Sequence, residues 1–273
     1  MNDRRAVRGK EFPFLILAPG RKLMMISILY RDAGVRFHEH LSKVASKHNL
    51  RAVSVFKQVL KEGSEWTLFL DVTETENPEE VVKDFQRLPG ILDIYASKPE
   101  VGILADTFHF PLTSRKGVRM IIFSAEMFSR TLGELYKTFG SGARFIIYRT
   151  GFTYGYELGE YFRNLLEGLM EKPPPPAKII EFFLHYNMSA GWQIPEEIDI
   201  KEKDGKIEAV VRIRELFEAS ARKHFKFDEV GCDLFRGLLA GLFSSLYGGE
   251  FKASEVKCEA RGDEYCEFQI TQL

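Results

Sequence analysis

Cysteine is scarce in this 273-residue chain: Cys232, Cys258 and Cys266 are all there are, and they fall within the last 42 residues. An odd count is a poor disulfide framework, and the clustering points to one shared site. Long apolar runs are missing too. None approaches the ~18 residues that a membrane-spanning helix needs. Charge has no dominant sign: 38 Lys+Arg stand against 39 Asp+Glu, a net −1. No global field therefore draws the chain to nucleic acid or an anionic membrane, and neither partner is expected. Glutamine occurs five times against plentiful Lys and Glu, a balance that leans toward a thermophile. The basic start Met1–Lys10 runs into apolar Phe12–Ala18, too short for a signal h-region and interrupted by Pro13. Residues 1–21 read as a basic tail and lead-in, and a cytoplasmic location is expected.

Catalytic motifs are equally thin. Gly151-Phe-Thr-Tyr-Gly155 has neither the Lys-Ser/Thr of a P-loop nor the glycine spacing of a dinucleotide fingerprint. No nucleophile elbow is visible. His38 and His40 stand two apart, which splits them across a helix and suits a solvated face.

What is present is ordinary globular material, 45% hydrophobic, 28% charged and 13% aromatic. At roughly 150 residues per domain the length suggests two domains. The apolar run at 22–32 has the content of a buried strand, and a helical pattern follows through Phe37, Leu41 and Val44. Residues 51–61 and 66–73 read as strands around the turn Glu62-Gly63-Ser64. Asn77-Pro78-Glu79-Glu80 starts a second helix, and 91–97 is a fourth strand. The order is βαββαβ over 22–98, a ferredoxin-like arrangement. With the turn Asp32-Ala33-Gly34-Val35, it resembles an ACT domain. That resemblance implies a small regulatory module that binds an amino acid or related ligand and often pairs edge to edge.

Residues 99–117, carrying Pro99, Gly102, Pro111 and Gly117, read as a linker. A second pattern fills 118–273: a strand at 118–123, a helix at 126–139, helical sequence at 151–171, and a helix at 178–188 after four prolines. Two strands near 196–202 and 206–214 are joined by the hairpin signal Asp204-Gly205. Asp228 is placed to cap a helix with Val230, Leu234, Leu238, Leu242 and Leu246 on its core face. Gly237 and Gly241 allow a neighbouring backbone close to it.

The chain then reads as a hairpin, 251–258 and 265–270 about Gly262. Cys258 and Cys266 fall opposite each other there, close enough for one metal ion and close to disulfide distance as well. Cys232 offers a third sulfur, and Glu255 is the nearest fourth ligand for a tetrahedron. In a regular strand residues 255 and 258 face opposite sides. Glu255 is a ligand only if a bulge or an early strand end lies near Lys257.

The runs Gly231–Gly241, Glu255–Cys258 and Gly262–Phe268 resemble the C-terminal signature of the 4-vinyl reductase (4VR) domain. Arg119–Gly155 and Gly191-Trp192 agree with it, so the resemblance spans about 118–273. It implies an α+β protein: the ACT-like module followed by a mixed α/β 4VR domain whose fold is shared with vesicle-tethering TRAPP subunits. The same fold serves as the sensor domain of bacterial activators that bind phenolic effectors. In those sensors three cysteines and a glutamate hold zinc, with 22, two and seven residues between successive ligands. Cys232, Glu255, Cys258 and Cys266 match that spacing, so a structural Zn²⁺ is implied.

Phe182, Phe183, His185, Tyr186, Trp192, Leu239 and Leu242 are candidate lining for an apolar ligand cavity, with plain core packing as the alternative reading. The implied function is non-catalytic sensing of a small hydrophobic or aromatic molecule by a homodimer that signals through a regulatory partner. The rivals are an enzyme or assembly factor of tetrapyrrole metabolism, as the family's name suggests, and a TRAPP-like scaffold.

Overall fold

Two apolar faces on one set of strands explain why the first pattern reads as a continuous run and not as an alternation. In the computed structural model, which describes residues 8–31, 36–114, 118–172, 174–222 and 231–273, the chain divides into units 1–120 and 121–273. The first unit runs β1 (Leu15–Tyr30), α1 (Arg36–Lys47), β2 (Arg51–Val59), β3 (Ser64–Asp71), α2 (Pro78–Gln86), β4 (Ile91–Ala96) and β5 (Glu100–Ala105). Its sheet is antiparallel in the order β2-β3-β1-β4. Met24, Ile26, Ile28, Trp66, Leu68 and Leu70 face Phe37, Val44, Val81 and Phe85 of the helices. Leu23, Met25 and Phe69 fill the other face with Leu104. Asn77 caps α2, accepting from the Glu79 N–H at 3.1 Å, with Pro78 in the first turn.

The βαββαβ order over 22–98 is present, with three differences. The first strand begins at Leu15, inside the expected lead-in. The interval read as a linker contains β5, which pairs the first half of β1 from Leu15↔Ala105 to Leu23↔Glu100 across a register shift. The strand expected at 118–123 does not form. Arg119 makes one isolated bridge to Thr113, and among the described residues no strand supplies a ladder to Ile121, Ile122 and Phe123, which are exposed. The turn Asp32–Val35, which carries the ACT resemblance, lies outside the described residues.

The second unit runs α3 (Ala125–Phe139), α4 (Ser141–Glu167), α5 (Pro176–Ser189), β6 (Ile194–Lys203), β7 (Lys206–Arg214), α6 (Phe217–Arg222), α7 (Asp233–Tyr247), β8 (Phe251–Lys257), a 3₁₀ turn (Glu259–Arg261) and β9 (Cys266–Gln272). The antiparallel sheet is ordered β6-β7-β9-β8. Asp204 and Gly205 both take positive φ in the β6–β7 turn, as the hairpin signal requires. α7 is buried all round except at Arg236 and Tyr247, the mark of a core helix. It begins at Asp233 with Cys232 as N-cap residue; the expected cap Asp228 and core residue Val230 lie outside the described residues.

α4 begins at Ser141, ten residues before the helical sequence expected at 151–171, and runs unbroken through Gly151. The glycine is there for proximity: a Cβ on Gly151 or Gly155 would overlap the Leu234 or Leu238 carbonyl of α7. Among the described residues no helix is long and apolar enough to cross a membrane.

Candidate metal centre and its surroundings

A bulge makes the site. β8 and β9 pair Glu255 with Phe268 and then, after a register shift, Lys257 with Glu267. The extra residue turns Glu255 and Cys258 toward the same point, as the sequence argument demanded. β8 ends at Lys257. Cys258 stays extended and is held by its N–H donating to Asp263 Oδ2 at 2.7 Å. The 3₁₀ turn closes on Gly262 at φ 95°, a left-handed conformation that glycine tolerates. Cys266 opens β9, and Cys232 arrives from the start of α7.

The four side chains converge. One Sγ or carboxylate oxygen from each of Cys232, Glu255, Cys258 and Cys266 lies within 4.8 Å of the others. Sγ of Cys258 is 3.8 Å from that of Cys232 and 4.0 Å from that of Cys266. Metal–sulfur bonds of 2.3 Å in a tetrahedron give an S–S edge of about 3.8 Å, so Cys258 already stands near ligand spacing from both other sulfurs. All three cysteines are free and buried.

Glu255 accepts from the Cys232 N–H through Oε2 at 2.7 Å, while its buried Oε1 has no hydrogen-bond partner among the described residues. Burial, and then the negative Cys258, push its carboxyl up to about 8. Burial also pushes the Cys232 thiol well up, while hydrogen bonds from Cys232 and Cys266 hold the Cys258 thiol down. Four crowded acids around one point, one with an orphaned oxygen, are what a cation would relieve. The cluster could bind a metal ion in a closed, four-ligand site.

Close supports lie around it. A Cβ on Gly231 would come within 2.6 Å of Glu255 Oε2, so glycine is what lets the carboxylate in. Fully buried Asp233 accepts from Tyr136 Oη at 3.1 Å, Arg144 Nε at 3.2 Å and Arg236 Nη2 at 2.7 Å. Glu218 of α6, also fully buried, accepts from the N–H groups of Leu234 and Phe235. Sequence reasoning missed Glu218 and Asp233. Gly231 beside Cys232 was the one visible signal, since a glycine next to a ligand often marks close approach.

The expected cavity residues divide. Phe183, Leu239 and Leu242 are fully buried in one core. Tyr186 and Trp192 are half-buried against that core, whereas Phe182 and His185 are exposed. Helical periodicity is the reason: Ile180, Phe183, Leu184 and Asn187 form the inward face of α5, and Phe182 and His185 fall outside it. His185 lines an outer groove of about 630 Å³ with Lys178, Glu181 and Ile198. Trp192 lies between Tyr154, with ring centroids 6.2 Å apart, and Phe217, at 5.3 Å.

Two further residues there had not been singled out. Asn187 and Gln193 are 2% and 3% exposed. Gln193 donates to the Leu184 carbonyl at 2.9 Å. Its Oε1, and Nδ2 of Asn187, have no hydrogen-bond partner among the described residues.

Residues 210–272 match the family model of the V4R domain. Among solved structures, the phenol-responsive sensory domain of the transcription activator PoxR, crystallised with phenol, is 20% identical; the match covers 59% of this chain and 83% of that one, with a TM-score of 0.50. A vinyl-4-reductase family protein from Methanocaldococcus jannaschii is 16% identical over 56% of this chain and 84% of that one, with a TM-score of 0.36. The C-terminal domain of MgtC from Mycobacterium tuberculosis is 13% identical over 30% and 92%, with a TM-score of 0.27. The last two overlaps are too loose to define the fold. No curated protein matches the sequence.

Proposed function

We propose that the protein is a non-catalytic sensor whose C-terminal unit binds a small hydrophobic or aromatic molecule and is stapled by a structural Zn²⁺. Cys232, Glu255, Cys258 and Cys266 are the zinc ligands. Three thiolates and a carboxylate at tetrahedral spacing suit zinc, and four protein ligands leave it no open position for catalysis. The ACT-like unit passes the signal on, in a cytoplasmic homodimer that acts on a separate regulatory protein. The V4R match and the fold likeness to a phenol-responsive sensory domain support this reading.

The observation that carries it is two buried polar atoms without a partner among the described residues, on Asn187, whose carbonyl accepts from the Trp192 N–H, and on Gln193, the next residue along. A buried polar group without a partner costs about 1–3 kcal/mol, yet Asn187 Nδ2 and Gln193 Oε1 are both kept. One is a donor and the other an acceptor, so a hydroxyl on an apolar ring could serve either. The rings of Tyr154, Trp192 and Phe217, in contact in series, offer stacking surface in the same unit.

Titration of the protein with phenol and its alkylated relatives is expected to change Trp192 fluorescence saturably. Asn187→Leu should weaken binding roughly 10-fold, the worth of one buried hydrogen bond, without lowering stability. No saturable response across such a series, or an affinity unmoved by Asn187→Leu, would overturn the assignment.

A further inference from the structure

We infer that Glu218, which is not a ligand, directs Cys232 to the metal by taking over the capping of α7; the inference rests on the metal reading above. The first turn of a helix leaves N–H groups without partners. The N-cap side chain ordinarily accepts from the second or third helical residue. Here the N-cap residue is Cys232, and its side chain makes no such bond. Its Sγ lies 3.8 Å from Sγ of Cys258 instead.

The donors are met from outside the helix. The Leu234 N–H donates to Glu218 Oε1 at 3.1 Å and the Phe235 N–H to Oε2 at 2.8 Å. These are the two groups a capping side chain would claim. The Cys232 N–H is taken by Glu255 at 2.7 Å. A carboxylate also suits the positive end of the helix dipole far better than a thiol does. With both amides occupied, the sulfur has no reason to fold back on the helix. It is left to face the other ligands.

Glu218 acts in two opposed ways, which makes its role measurable. As an acceptor it frees the thiol. As a buried negative charge near Cys232 it disfavours the thiolate. Glu218→Gln removes the charge and keeps only one accepting oxygen. If position decides, the variant binds metal more weakly; if charge decides, it binds more tightly.

The test uses the full chain, first stripped of metal and then titrated with Co²⁺ against a competing chelator. Wild type is expected to bind one equivalent with thiolate charge-transfer absorption. Glu218→Gln is expected to bind about 10- to 100-fold more weakly, the usual effect of losing a group that orients a ligand. Its charge-transfer absorption per bound metal should fall by about one third, as one of three thiolates turns back to cap the helix. A variant that binds equally well or better, with full absorption, overturns the inference. A wild type that takes up no Co²⁺ overturns the metal reading itself, and the inference with it. Amide exchange of metal-loaded wild type does not depend on a variant that folds. Leu234 and Phe235 should exchange slowly, and exchange at the rate of free amides would overturn the capping role.

Discussion

Cys258→Ser is expected to strip the zinc and melt the β8–β9 hairpin. Cys258 is the hub of the site: both other sulfurs lie at 3.8 and 4.0 Å from it, and it begins the turn that joins the two strands. A structural metal's binding energy is folding energy, about 10–16 kcal/mol in small zinc-finger peptides. The hairpin here has other support, because β9 pairs β7 and Phe268 packs against Phe235 of α7. The loss should therefore be only part of that figure. Serine leaves three ligands around a buried gap, and a destabilisation of about 3–5 kcal/mol is the scale for breaking a buried charged network. At about 2–4 °C per kcal/mol for a domain of this size, the melting temperature should fall by roughly 6–20 °C. Chelation of the wild type should lower it similarly, and added Zn²⁺ should restore the wild type alone. Elemental analysis should find one zinc per chain in protein purified without chelator. A metal-free protein with an unchanged melting curve would refute the zinc assignment.

The Cys/Glu cluster was legible because its constraint is local: every cysteine falls in one stretch, and residues 255 and 258, on opposite faces of a regular strand, converge only through a bulge, which the register shift after Glu255 supplies. The hairpin at Asp204-Gly205 was legible for the same reason, two residues that tolerate positive φ between alternating strands. What escaped depends on partners distant in sequence. β5 carries an ordinary apolar pattern and becomes a strand only because the first half of β1 extends to meet it. Residues 118–123 carry a stronger pattern and stay irregular for want of a neighbour. Glu218 lies fifteen residues before α7 begins, and no spacing rule links a glutamate to the amides it will cap. Asn187 and Gln193 are legible only as orphans, a property that exists once a core surrounds them. The glycines of α4 were visible, but their meaning was not. Three of them at four-residue intervals lie in a segment that reads simply as helical.

Those glycines carry the second large effect. Gly151, Gly155 and Gly159 of α4 face Leu234, Leu238 and Ser245 of α7 in step, so the two helices run parallel with their backbones in contact. Gly237 and Gly241 of α7 reciprocate, and a Cβ on either would overlap the carbonyl of Tyr148 or Phe152. Gly155→Ala should raise the helix propensity of α4 by about 1 kcal/mol and still destabilise the protein. The obstacle is the Leu238 carbonyl, which is part of a buried helix and cannot rotate away as a side chain would. The helices must separate along their whole contact, losing dispersion at every facing residue. Overpacking of this kind costs about 1–3 kcal/mol where side chains can adjust, and a backbone obstacle puts Gly155→Ala at or above the upper end. Gly133 of α3 is the control. It is equally helical and buried, but a Cβ there meets nothing within 4 Å. Gly133→Ala should therefore keep its propensity gain and stabilise by about 0.4–1 kcal/mol. Urea denaturation of both variants should move the midpoints in opposite directions. Equal gains for both would show that α4 and α7 stand further apart than the glycines require.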